Sequence, residues 1–184
     1  MDVADGPAAV LFTDIVDFTR YNAERGDDAA VDLLEEQSRI VRDLLPRCGR
    51  VVKELGDGLM LWVPDAHAAI DTCLAIQGRV TEQQQGDDPV FVRIGGHWGA
   101  PRRRGDDFVG MAVNLSARIV DIAGAGEVLV SEALLEAAGD LSSLQAHAHE
   151  LGPVYVKGVP DPVALYRVEP VVDSEPLAVS RPGA

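Results

Sequence analysis

Apolar residues in this chain fall first in short unbroken runs and then in helical spacing. Ala8 to Phe12 is apolar and flanked by Gly6-Pro7 and by Asp14, which predicts a buried strand with a carboxylate at its carboxyl end. Gly26-Asp27-Asp28 opens a segment whose apolar residues are Ala30, Val31, Leu34, Val41, Leu44 and Leu45, an amphipathic helix stopping near Pro46. Val51 and Val52 begin a second strand, Gly56-Asp57-Gly58 is a tight hairpin turn, and Leu59 to Val63 is a third strand. After Pro64-Asp65, the positions Ala68, Ala69, Cys73, Ile76 and Val80 mark a second helix, closed by the polar stretch Gln83 to Asp88. Strand four is Val90 to His97.

Strand, helix, strand, strand, helix, strand is the order of a ferredoxin-like split βαβ unit, so the expected class is α+β, with helix and strand additions at the carboxyl end. Those additions are a helix over Val113 to Ile122, a strand at Glu127 to Val130 and a helix from the Ser131 cap to Ala137. An extended pair follows, Leu151 to Lys157 and Val163 to Val168, joined by Gly158-Val159-Pro160-Asp161. Residues 1–7 read as a lead, 8–170 as one domain, and 171–184, rich in Pro, Ser and small residues, as a tail of low order.

Composition narrows the partners. The 184 residues suffice for one domain with a full core. Sixteen Lys and Arg against thirty Asp and Glu give a net charge of −14, which repels nucleic acid and anionic membranes. A phosphate ligand would have to be held locally, with a metal. No apolar run approaches the roughly 20 residues of a membrane span, and Met1 to Pro7 lacks the basic and apolar parts of a signal peptide, so a cytoplasmic protein is expected. Cys48 and Cys73 lack C-x-x-C spacing and are expected as buried thiols, not as zinc ligands or a disulfide framework.

The chemistry centres on Val10 to Thr19, V-L-F-T-D-I-V-D-F-T. After Asp14, the backbone N–H groups of Ile15 to Thr19 enter a turn that opens toward a helix and can hold an anion. Asp14 and Asp17 read equally well as caps of that helix. In a split βαβ sheet, strands one and two are parallel with strand three between them. Asp14 and Asp57 then become neighbours despite 43 positions of separation. Two carboxylates about 4 Å apart repel by on the order of 4 kcal/mol at an effective dielectric near 20, so a cation is expected between them. Such oxygen ligands suit two divalent ions, Mg²⁺ or Mn²⁺, of the kind used in phosphoryl transfer. No G-x-x-x-x-G-K-[ST] loop, G-x-S-x-G elbow or His-rich metal cluster offers another home for chemistry. Arg102 to Asp107 reads as a charged loop containing Gly105. On the helix after it, Asn114 and Arg118 stand four apart on one side, an anion and ribose grip or simply a solvated face.

Four stretches in order, F-T-D-I-V-D-F-T at Phe12 to Thr19, V-K-E-L-G-D-G at Val52 to Gly58, G-D-D-F-V-G-M-A-V-N-L-S-A-R at Gly105 to Arg118 and V-K-G at Val156 to Gly158, resemble the class III nucleotide cyclase catalytic domain. The resemblance covers about Val10 to Val168. It implies that Asp14, Asp57 and the Ile15 backbone hold two divalent cations, and that Phe18 and Thr19 meet the substrate phosphates. It further implies that Lys53 and Asp107 read adenine, Asn114 positions the ribose, Arg118 stabilises transition-state charge and Lys157 holds the polyphosphate. Related enzymes that use GTP typically carry Glu and Cys where this chain has Lys53 and Asp107, so ATP is the expected substrate, with cyclic AMP and pyrophosphate as products. The family also implies a head-to-tail homodimer in which one subunit supplies the aspartates and the other the base, ribose and transition-state residues.

The chain departs from the family where Gly96-His97-Trp98-Gly99 places a bulky Trp, and where Val109 replaces a common aromatic; His97 and Trp98 are expected as packing residues. Competing readings are a guanylate or low-selectivity cyclase, a cyclase-like domain that binds nucleotide without chemistry, and a polymerase-type palm. The last would need a basic template groove, which a −14 chain lacks.

Overall fold

A computed structural model describes residues 6–83 and 89–171. Nine strands and five helices follow the chain as β1 (Ala8–Ile15), α1 (Phe18–Arg25), α2 (Asp27–Leu44), β2 (Arg50–Leu55), β3 (Gly58–Val63), α3 (Ala66–Gln83) and β4 (Val92–Gly99). After these come β5 (Arg102–Arg104), β6 (Asp107–Val109), α4 (Met111–Ile122), β7 (Val128–Ser131), α5 (Glu132–Ala138), β8 (Ala146–Val154) and β9 (Val163–Pro170). Seven strands make one sheet in the order β2-β3-β1-β4-β7-β9-β8, while β5 and β6 form a separate hairpin. The first four positions are the split βαβ arrangement: β1 pairs antiparallel with both β3 and β4, and β2 pairs antiparallel with β3.

Both faces of this sheet are covered, which is why β1 and β3 are apolar without alternation. Ala9, Leu11 and Ile15 of β1 and Leu59, Leu61 and Val63 of β3 face α2, α3 and α5 in the main core. The alternate residues Ala8, Val10, Phe12, Met60 and Trp62 pack on the other face with Ala112 and Val120 of α4 and with Phe108. The α4 backbone crosses β4 at Gly95, where an added Cβ would lie 2.2 Å from the Val120 nitrogen. Ser116 ties α4 to the neighbouring strand β1 by donating from Oγ to the Val10 carbonyl at 2.8 Å.

Several elements differ from the sequence expectation. A separate helix, α1, precedes α2; Gly26, with φ 86, breaks the two apart. Val31 of α2 is 51% exposed, whereas Gln37 is buried and donates to Thr13 Oγ1 at 3.4 Å. The Arg102 to Asp107 loop is the β5–β6 hairpin. Strand β8 begins at Ala146, not Leu151, and Val156 and Lys157 lie in the turn beyond it. Its start escapes pattern reading because the inward residues, Ala146 and Ala148, are small and alternate with histidines. Cys73 is buried, and burial pushes its thiol up to about 12, but Cys48 is exposed. Most of the Gln83 to Asp88 stretch and residues 172–184 of the expected tail lie outside the described residues.

Candidate active site

The β2–β3 turn brings Asp57 to Asp14. Leu55 pairs with Gly58, leaving Gly56 and Asp57 as a two-residue loop, and Gly56 has φ 71, the positive value a Gly-first hairpin turn needs. Gly58 then pairs with Asp14 so closely that an added Cβ would lie 2.5 Å from the Thr13 carbonyl oxygen. The Ile15 N–H donates to the Asp57 carbonyl at 3.2 Å, which locks the turn to the end of β1.

One open cleft is lined by Asp14, Ile15, Asp17, Phe18, Thr19, Arg20, Asp57 and Arg93 among others. The cation that meets Asp14 there is Arg93, which sequence reading missed. Arg93 sits directly across from Asp14 on β4, and its Nε and Nη2 lie 2.7 and 2.6 Å from Asp14 Oδ2. Burial pushes the Asp14 carboxyl up; the Arg93 guanidinium pulls it down, and Asp57 and Asp121 push it up by repulsion. Register would have revealed Arg93, since β1 and β4 pair residue by residue, but no sequence motif marks it. The expected anion cradle is narrower than the whole turn. The Ile15 and Val16 N–H groups already donate to Asp57 and Phe91 carbonyls, which leaves the first-turn N–H groups of α1, those of Phe18 and Thr19 among them, as the donors for an anion. Asp17, in the left-handed region at φ 57, precedes that turn without a side-chain capping bond.

Oxygen donors of this kind fit a hard divalent cation. Asp14 and Asp57 share the cleft and repel each other, and the cleft already gathers a positive side chain against Asp14.

Lys53 and Asp107 meet elsewhere. Lys53 Nζ of β2 lies 2.7 Å from Asp107 Oδ2 of β6, and the Phe108 N–H donates to Asp107 Oδ1 at 2.7 Å. The Lys53 ammonium holds the Asp107 carboxyl below the usual range. Phe108, next in the chain to Asp107, stacks on Trp62 with centroids 5.8 Å apart, and the Arg50 guanidinium lies over both rings.

Asn114, Arg118 and Lys157 line a different cleft, with Met111, Ala117, Gly158 and Val159. Asn114 and Arg118 are exposed on α4, and Arg118 Nη1 contacts Asp121 at 3.2 Å. The single chain thus groups the expected site residues into an acidic cleft, an ion pair and a basic cleft. His97 and Trp98 pack: His97 Nδ1 lies 2.8 Å from Ser131 Oγ, and Trp98 leans on the main core.

A family model described as the adenylate and guanylate cyclase catalytic domain matches residues 4–170. The chain belongs to that family. The chain is 29% identical over 160 residues to a pH-sensitive adenylate cyclase of Mycobacterium tuberculosis, covering 86% of this chain and 40% of the relative. It is 32% identical over 136 residues to an adenylate cyclase of Streptomyces coelicolor, covering 73% and 35%. It therefore spans two-fifths or less of these curated relatives. Its fold matches the adenylyl cyclase CyaB of P. aeruginosa with a TM-score of 0.77 at 23% identity, over 91% of this chain and 95% of that one. No described helix of the chain is long and apolar enough to cross a membrane.

Proposed function

We propose that residues 8–170 form an adenylate cyclase domain that converts ATP to 3′,5′-cyclic AMP and pyrophosphate in the cytoplasm, where its nucleotide is supplied. The observation that carries the choice of base is the 2.7 Å Lys53–Asp107 pair. The ammonium donates to a ring nitrogen and the carboxylate accepts from the exocyclic amine of adenine; guanine would turn a carbonyl toward that carboxylate. Asn114 orients the ribose so that the 3′ oxygen stands in line with the α-phosphorus. The new bond joins O3′ to that phosphorus, the bond to the bridging oxygen of the β-phosphate breaks, and the hydroxyl proton passes to solvent.

Asp14, Asp57 and the Ile15 carbonyl would hold the divalent ions, Mg²⁺ or Mn²⁺, which lower the pKa of the attacking hydroxyl and neutralise the triphosphate. Arg118 takes up charge at the α-phosphate, Lys157 grips the polyphosphate, and the first-turn N–H groups of Phe18 and Thr19 bind phosphate oxygens.

The grouping supports a shared site. The acidic cleft contains none of Asn114, Arg118 or Lys157, and the basic cleft contains neither aspartate. A head-to-tail homodimer that lays the acidic cleft of one subunit against the basic cleft of the other completes two sites. The decisive experiment measures cyclic nucleotide formed from ATP and from GTP, with Mn²⁺ or Mg²⁺, by the unaltered chain and by Asp57→Ala. ATP turnover lost in the variant supports the reading; equal turnover of GTP, or activity that survives the substitution, overturns it.

A further inference from the structure

At the far edge of the sheet, on the two strands that complete it, a second set of ligating side chains converges. In the antiparallel β8–β9 pair, His147 stands opposite Glu169 and His149 opposite Arg167. Ala146, Ala148, Tyr166 and Val168 belong to or lean on the main core. The period of two therefore turns His147, His149, Arg167 and Glu169 to the opposite face. There both imidazoles aim at one oxygen: His147 Nε2 and His149 Nε2 lie 3.3 and 3.0 Å from Glu169 Oε1. The three potential ligand atoms all lie within 4.8 Å of one another. The two rings meet edge to face with centroids 4.6 Å apart. The other carboxylate oxygen, Oε2, is 3.7 Å from Arg167 Nε, and Arg167 is anchored through Nη1 to Glu127 at 3.0 Å.

We propose that His147, His149 and Glu169 form a site for one zinc-class divalent cation, separate from the carboxylate pair of the acidic cleft.

The ligand spacing fits. Zinc bonds of about 2.0–2.2 Å in tetrahedral geometry place neighbouring ligand atoms about 3.3–3.6 Å apart. The nitrogen–oxygen separations of 3.3 and 3.0 Å lie at and slightly below that interval, so small side-chain rotations would seat the ion. The donor set fits as well. Two imidazoles with one carboxylate select zinc, nickel or copper over magnesium or calcium, which prefer oxygen throughout. The Arg167 guanidinium, 3.7 Å from Oε2, is beyond hydrogen-bond reach and adds only charge attraction on that side, while Oε1 is directed at the imidazoles. The three side chains are 42 to 50% exposed, so ions can enter, and three protein ligands leave room for water.

Placement indicates what the ion would do. His147 and Glu169 lie at the open end of the hairpin, where β8 begins and β9 ends. The closed end carries the turn with Lys157. The ion clamps two neighbouring strands at the sheet edge, and its readout is the stability of the fold.

The test uses the untagged, metal-stripped chain carrying Asp57→Ala, so that the acidic cleft is not counted. Zinc titrated by calorimetry is expected to saturate at one ion per chain, and a hundredfold excess over Kd to raise Tm by about 5 °C. Cobalt at the same site should give visible d–d absorption bands. The double variant His147→Ala/His149→Ala and, separately, the shape-conserving Glu169→Gln should each weaken binding at least about tenfold and lose the Tm rise. Zinc bound unchanged by the double-histidine variant, or no stoichiometric binding to the Asp57→Ala chain, overturns the proposal and leaves the trio a histidine–glutamate ion pair only.

Discussion

Arg93 and Asp14 stand directly opposite each other on β4 and β1, with the Arg93 Nη2 2.6 Å from the Asp14 Oδ2. The contact is mostly buried, the side chains being 29% and 22% exposed, so the guanidinium offsets much of the cost of keeping a carboxylate beside Asp57. A metal that takes Asp14 either binds through Oδ1 or displaces Arg93 from Oδ2. Arg93→Gln is therefore expected to destabilise the metal-free protein by about 1–2 kcal/mol in urea denaturation. Saturating Mg²⁺ should narrow that gap, because a bound cation restores the missing charge. A gap that ignores Mg²⁺ would show that Arg93 serves packing alone.

The separation of the acidic and basic clefts predicts complementation. Asp57→Ala and Arg118→Ala are each expected to be inactive alone. Mixed under conditions that exchange subunits, they should recover about a quarter of the unaltered activity, since half the dimers are mixed and each mixed dimer holds one intact site of two. No recovery in a mixture shown to contain mixed dimers would place the whole site within one chain.

In the proposed reaction, base selection is assigned to two side chains that touch each other. Asp107→Ala removes the acceptor for the adenine amine and leaves Lys53 without its partner at 2.7 Å. The ratio of kcat/KM for ATP to that for GTP should fall at least about tenfold, and Lys53→Glu with Asp107→Cys should reverse the preference. An unchanged ratio would move base reading to other residues.

Close backbone approach makes one glycine costly to replace. At Gly95 the β4 strand lies against the α4 backbone, with 2.2 Å between a built Cβ and the Val120 nitrogen. Backbone cannot swing aside as a side chain can, so Gly95→Ala should destabilise by about 3 kcal/mol or more, read from thermal or urea unfolding. Gly78, with open space around it, should tolerate the same change far better.

Burial holds His97 below its ordinary pKa, while its Nδ1 meets Ser131 Oγ at 2.8 Å. The folded protein keeps this imidazole neutral where the unfolded chain would protonate it. The stability it contributes is fully present above about pH 6.5 and is lost as pH falls through the folded pKa. His97→Gln should flatten that part of the stability curve, measured as unfolding free energy against pH for both proteins. Identical slopes would mean that His97 is protonated alike in both states.

Much of the fold was legible in the chain because its signals are local. The apolar runs of β1 and β3, the helical spacing of α2 and α3, and the turn at Gly56-Asp57 each follow from neighbours in sequence, and their order specified the split βαβ core. The resemblance to class III cyclases, carried by four motifs, named the family that the comparison with known proteins then showed. What the sequence alone could not reveal depends on strand register and on which side chains meet across it. Arg93 became the partner of Asp14 only because β4 pairs with β1 in one alignment, 79 positions away in the chain. His147, His149 and Glu169, in a chain read as having no His-rich metal cluster, came together only because β8 starts five residues earlier than its apolar pattern suggested. The sequence by itself determined the strands and helices of the split βαβ core, their order and the family; the tertiary structure decided which charges face one another, because electrostatic partners are selected by distance in space and not along the chain.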